Sequence, residues 1–120
     1  MSFHAQILVL AEDPSVRRTK QMVLQELGFD VIAVGTLREV EFVISRSVFD
    51  LAILGRSLSA EHKRQAASVI RTKLPNTPLL ELCDLQACVD DPDYVLQGHN
   101  PEDLAVMVKE IFSGDKPKRG

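Results

Sequence analysis

Short aliphatic runs alternate with amphipathic stretches along this chain, and the alternation predicts its class. Ile7-Leu8-Val9-Leu10 carries no polar residue, as expected of a strand covered on both faces. It gives way to Ala11-Glu12-Asp13-Pro14-Ser15, where Asp13 can cap a helix that has Pro14 in its first position. Val16, Met22, Val23, Leu24 and Leu27 are predicted to form the apolar face of that helix. Gly28 ends it, because glycine takes the left-handed conformation without a steric cost. Phe29 to Val34 reads as a second strand. Thr36 with Glu39 three residues on is a capping-box pattern, and the helix it opens reaches about Ser45 with Val40, Val43 and Ile44 inward.

Phe49 to Leu54 is the third strand. Ala60 to Lys73 is the third helix, with Ala66, Ala67, Val69, Ile70 and Leu74 as core candidates, and Pro75-Asn76-Thr77-Pro78 breaks it. Leu79 to Cys83 is the fourth strand, with Glu81 as an odd charge inside it, and Tyr94 to Leu96 is a short fifth. Asn100-Pro101-Glu102-Asp103 opens a last helix, whose apolar side is Leu104, Val106, Met107, Val108, Ile111 and Phe112. Strands alternating with helices imply right-handed crossovers and a parallel sheet covered on both faces. Five such strands predict a three-layer α/β fold of flavodoxin-like order 2-1-3-4-5. In these sheets function gathers at the carboxyl ends of the strands. That places Ala11, Glu12, Asp13, Gly55, Arg56, Cys83, Asp84, Gln97 and Gly98 around one crevice.

Composition narrows the picture. The chain has 120 residues, of which 45% are hydrophobic, the size and content of one domain with a real core. Residues 1–113 read as that domain and 114–120 as a tail or linker stub. The formal charge of −3 argues against nucleic-acid binding by this domain, which needs a basic face. The one basic cluster, Lys116-Pro117-Lys118-Arg119, reads as a solubilising end. No apolar stretch approaches the ~20 residues of a membrane span. The first residues lack the pattern of a signal peptide, so a cytoplasmic protein is expected. Cys83 and Cys88 then read as thiols, and no metal is expected, since His4, His62 and His99 show no ligand spacing around them.

Several segments together resemble response-regulator receiver domains. Ile7 to Arg17 is similar to the opening of that family, and Glu26-Leu27-Gly28-Phe29-Asp30-Val31 to the end of its first helix. Phe49-Asp50-Leu51-Ala52-Ile53-Leu54 looks like the strand that ends at the phosphoacceptor, and Leu74-Pro75-Asn76-Thr77-Pro78 like the approach to strand four. Asp93-Tyr94-Val95-Leu96 and Asn100-Pro101-Glu102-Asp103-Leu104 resemble the fifth strand and the last helix. The resemblance implies a chemistry with a strand-three aspartate as nucleophile and an acidic pair that holds Mg²⁺. A strand-four hydroxyl and a strand-five lysine complete it.

Position by position, the chain departs from that pattern. The acidic pair falls on Ala11 and Glu12, and Asp13 beside them serves the helix. The nucleophile position is Gly55, with Arg56 next to it. The hydroxyl position is Cys83, followed by Asp84 where the family prefers a small residue, and the lysine position is Gln97. Tyr94 follows Cys83 by only eleven residues, fewer than the dozen or more a crossover takes. The fourth helix of the family is therefore expected to be short or missing. The reading is a degenerate receiver with a vestigial phosphorylation pocket, no cofactor and no enzymatic activity. It would act on a protein partner, a signalling kinase or an output domain, with a homodimer as a further arrangement. The alternatives are an active receiver with an unusual acceptor, such as Asp84, and a small-ligand or nucleotide sensor in the emptied crevice. The sensor gains room from Gly55 and Gly98 but lacks a G-x-G-x-x-G loop.

Single residues carry sharper readings beside plainer ones. Glu12 and Asp13 could bind a cation, against a solvated carboxylate and a helix cap. Cys83 and Cys88 could be a redox pair, against two unreactive thiols. His99 could sense pH, against a loop histidine. Arg56 could sit near the empty pocket or pair with Glu12, against plain solvent exposure. Glu81 is read as exposed at a sheet edge opened by the missing helix.

Overall fold

The computed structural model describes residues 5–98 and 100–113. The tail 114–120 with its basic cluster, and His4 and His99, lie outside the described residues. Five strands form one parallel sheet: β1 (Gln6–Leu10), β2 (Asp30–Val34), β3 (Leu51–Leu54), β4 (Leu79–Cys83) and β5 (Tyr94–Gln97). Their order is β2-β1-β3-β4-β5, as the alternation of elements predicts. Four helices connect them: α1 (Pro14–Glu26), α2 (Leu37–Ile44), α3 (Ala60–Lys73) and α4 (Pro101–Ser113).

The period-two exposure of side chains in the buried strands builds two cores. On one face Ile7, Val9, Ile53 and Leu80 pack against Leu24 of α1 and Leu104 and Val108 of α4. On the other, Leu8, Leu10, Leu54 and Leu79 meet Val40 and Ile44 of α2 and Ala66, Ala67 and Ile70 of α3. The predicted helix ends are present. Asp13 Oδ1 accepts from the amides of Ser15 (2.8 Å) and Val16 (3.2 Å). Thr36 Oγ1 accepts from Glu39 N at 3.1 Å, while Glu39 reaches back one residue beyond the usual box to Gly35 N at 3.0 Å. Gly28, with φ 97°, ends α1 in the left-handed region.

Several sequence expectations need correction. Phe29 and Phe49 precede their strands, and β5 runs one residue further, to Gln97. Met22 and Val106 lie exposed, and Val16 lies at the surface, so the apolar faces of α1 and α4 are narrower than their sequences imply. The largest correction concerns Glu81. It is not at an exposed edge but fully buried, at the middle of β4 between Leu54 of β3 and Val95 of β5.

That burial explains how the chain manages without a helix between β4 and β5, where Asp84–Asp93 is loop throughout. Glu81 takes Lys63 Nζ of α3 at 3.1 Å and the amides of Cys88 (2.7 Å) and Val89 (3.0 Å). Lys63, itself buried, also donates to Leu82 O at 2.7 Å. Buried charge is tolerable only when paired and hydrogen-bonded, and every side-chain polar atom here has a partner. From outside, α3 holds the same loop: Arg64 Nε donates to Cys88 O, and Arg71 donates to the carbonyls of Asp90 and Asp91. Val89 drops into the core beneath, filling part of the space a helix would occupy.

Replacing Lys63 with methionine leaves the Glu81 carboxylate buried without its counter-charge. The expected loss is roughly 3–5 kcal/mol in urea unfolding, with faster hydrogen exchange at Cys88 and Val89. A loss below roughly 1 kcal/mol would show that the pair does not organise the loop.

The caps give a second expectation. The Val16 and Ser15 amides hold Asp13 below its ordinary 3.8, and the Gly35 amide holds Glu39 below 4.5. The folded state therefore binds these protons less readily than the unfolded chain. The caps' contribution is complete above those ordinary values and is lost as pH falls through the depressed folded ones. The urea midpoint should drop across that acid range, and drop less steeply in Asp13→Asn and Glu39→Gln.

Candidate functional site

The carboxyl ends of β1 and β3 meet at a small cavity of about 140 Å³. Ala11, Glu12, Asp13, Gly55 and Arg56 line it, so five residues assigned to the crevice do come together, with Lys20, Val16 and Ser57 beside them. The other four stand apart, and Gly98 lines a second cavity instead. Cys83 is buried at the end of β4. Asp84 reaches the cavity rim only through Arg56, whose Nη1 lies 2.8 Å from Asp84 Oδ1. Gln97 turns away to donate to Leu85 O at 2.6 Å.

At its centre the backbone closes on itself. Gly55 N donates to Leu10 O at 2.8 Å. A Cβ at position 55 would stand 2.8 Å from that same oxygen and 3.3 Å from Ala11 Cα and Cβ. Those neighbours belong to β1 and the residue after it, and a strand in mid-sheet cannot step aside as a flexible side chain can. Position 55 thus lacks a carboxylate, and adding one requires the ends of β1 and β3 to shift.

The charged groups around it are committed elsewhere. Asp13 caps α1. Glu12 Oε2 lies 3.6 Å from His62 Nδ1, both side chains about half exposed, and not beside Arg56. Arg17 folds back to donate to the carbonyls of Ala11 (2.9 Å) and Glu12 (3.3 Å), its guanidinium filling the place where Gly35 would carry a side chain. Lys20 is partly buried; burial first and the Arg56 charge second lower its pKa. Burial, then the charge of Glu81, raises the pKa of the Cys83 thiol, which keeps it protonated and a poor nucleophile. Cys83 and Cys88 are both free.

No family model and no curated relative matches this sequence. Solved structures do match. The chain is similar to the response regulator DrrB, a Thermotoga maritima OmpR/PhoB homolog, with TM-score 0.76 and 21% identity over 98% of this chain and 58% of that one. It is similar to the chemotaxis response regulator CheY4 of Vibrio cholerae, with TM-score 0.73 and 20% identity over 91% and 99%. It is also similar to the response regulator TrrA of Thermotoga maritima in complex with Mg²⁺-BeF, with TM-score 0.69 and 24% identity over 89% and 98%. The fold is that of a receiver domain.

Against that receiver fold, the local chemistry can be tested for Mg²⁺, a hard ion that wants several oxygen ligands. Ala11 and Gly55 supply no side-chain oxygen, Asp13 is turned to α1, and Glu12 leans toward His62. Two cationic side chains, Lys20 and Arg56, face the same cavity. Among the described residues no three His, Cys, Asp or Glu side chains converge. The residues present do not fit the ion, and no step is derived through it. Also among the described residues, no helix is long and apolar enough to cross a membrane.

Sequence reasoning passed over Lys20, Lys63 and the role of His62. Lys63 had a signal: it falls on the helical stripe of Ala66, Ala67 and Ile70, where a lysine needs a buried partner. Lys20 lies one turn after Val16, and nothing in the sequence marked the cavity beside it.

The closed backbone at β3 predicts the effect of restoring an acid. Gly55→Asp should lose roughly 1–3 kcal/mol of stability in urea unfolding, because β1 and β3 must separate to admit the side chain. An unchanged midpoint would mean that the strand ends have room.

Proposed function

We propose that this chain is a signalling module of receiver type that accepts no phosphoryl group and works through contact with a protein partner, a signalling kinase or an output domain. One observation carries the reading: the tip of the central strand is Gly55, packed so that even a Cβ would stand 2.8 Å from Leu10 O. Without a carboxylate there, no acyl phosphate can form at that position. The surrounding departures agree with it. The lysine position holds Gln97, which is bonded to a loop carbonyl, and the hydroxyl position holds a protonated thiol.

The surface bears on how such a module signals. Instead of a helix free to shift, the segment between β4 and β5 is a loop anchored by Glu81, Arg64 and Arg71. Anchoring from both sides favours one standing conformation, read by the partner without a phosphorylation step. The protein acts in the cytoplasm and catalyses no reaction of its own.

Incubation of the purified chain with acetyl phosphate and Mg²⁺, followed by intact-mass analysis, tests this. The mass is expected to stay unchanged. A gain of one phosphoryl group that disappears in Asp84→Asn or Glu12→Gln would establish an unusual acceptor and end the proposal.

A further inference from the structure

Behind the small cavity lies a larger, partly open one of about 210 Å³ between α1, the ends of β4 and β5, and the start of α4. Lys20 and Arg56 line both, so the two spaces share a cationic wall. The rest of the larger space is mainly apolar, formed by Leu82, Leu96 and Leu104 with Val16. Leu82 and Leu104 are buried residues of the core, so that wall is preformed.

The charges here do not balance. Arg56 is neutralised by Asp84. Lys20 has no ion pair among the described residues. An ammonium without an ion pair therefore stands beside an apolar chamber, with Glu12 and Asp13 on the far side of the smaller cavity. A partly buried ammonium of this kind is stabilised by an anion that brings its own apolar surface.

We infer that this chamber binds a small organic monoanion, a carboxylate on a single ring or short chain, with the carboxylate at Lys20 and the apolar body among Leu82, Leu96 and Leu104. Lys20 offers one ammonium for one carboxylate. Polyanions such as nucleotides are disfavoured, because Glu12 and Asp13 line the adjoining space and repel further negative charge. The volume lies below the ~300–1,000 Å³ of drug-sized sites, which limits the body to about ten non-hydrogen atoms. Burial lowers the pKa of Lys20, as it does for an ammonium short of a counter-ion. The site lies where parallel sheets of this order commonly take ligands, beyond the carboxyl ends of the strands. It does not depend on the phosphate question, because it uses neither Gly55 nor any acceptor.

The test is a titration of the full chain with 4-methylbenzoate, followed by amide chemical shifts. The neutral 4-methylbenzamide and inorganic phosphate serve as comparison probes. Saturable shifts are expected at Thr19, Leu96 and Gly98, with Kd about 1 mM or tighter, the scale that ligands of this size reach. The benzamide should bind at least about tenfold more weakly, as should the benzoate to Lys20→Met, and phosphate should give no comparable shift. The inference is overturned if the benzoate shows no saturation, if the benzamide binds equally well, or if phosphate matches the benzoate. If Lys20→Met does not fold, the benzoate and benzamide on the unaltered chain decide the matter alone.

Discussion

One buried ion pair, Lys63 with Glu81, underlies the way this chain passes from β4 to β5 without a helix. A carboxylate in the middle of β4 would be untenable in an apolar layer by itself. Lysine from α3 neutralises it, and two loop amides complete its shell. The same atoms that remove the penalty of burial tie down the segment where a crossover helix is missing. Stability and loop conformation therefore rest on one cluster. Through Lys63, α3 is joined both to the sheet and to the end of β4 at Leu82.

The crevice follows a different rule, set by backbone distance rather than charge. At the end of β3 the chain approaches β1 closely enough that any side chain larger than glycine forces a shift, and the cavity left over is small. Around it most charged groups have another duty. Asp13 holds a helix end, Arg56 holds Asp84, and Arg17 holds two carbonyls of the loop after β1. Lys20 is the exception, and it faces the larger chamber as well.

Much of the fold was legible because its signals are local. Caps at Asp13 and Thr36, the stop at Gly28 and the unbroken aliphatic strands each depend on a few neighbouring residues, and each is present. The shortened stretch after Cys83 rightly announced a missing helix. What replaced that helix was not legible, because it joins residues eighteen apart across two elements, Lys63 and Glu81. A lone acid in a strand reads as exposure until its partner is known. The gathering of Ala11, Glu12, Asp13, Gly55 and Arg56 followed from topology alone, since strand ends fix where they meet. The directions of Asp84 and Gln97 did not, because those depend on which hydrogen bonds the loop leaves open.

The tight approach of Leu10 to Gly55 also bears on how such a sequence can change over time. Placing an acidic residue at 55 takes more than that one change, since β1 has to shift with it. An acid introduced there alone meets its first obstacle in the backbone, before any question of what it could bind.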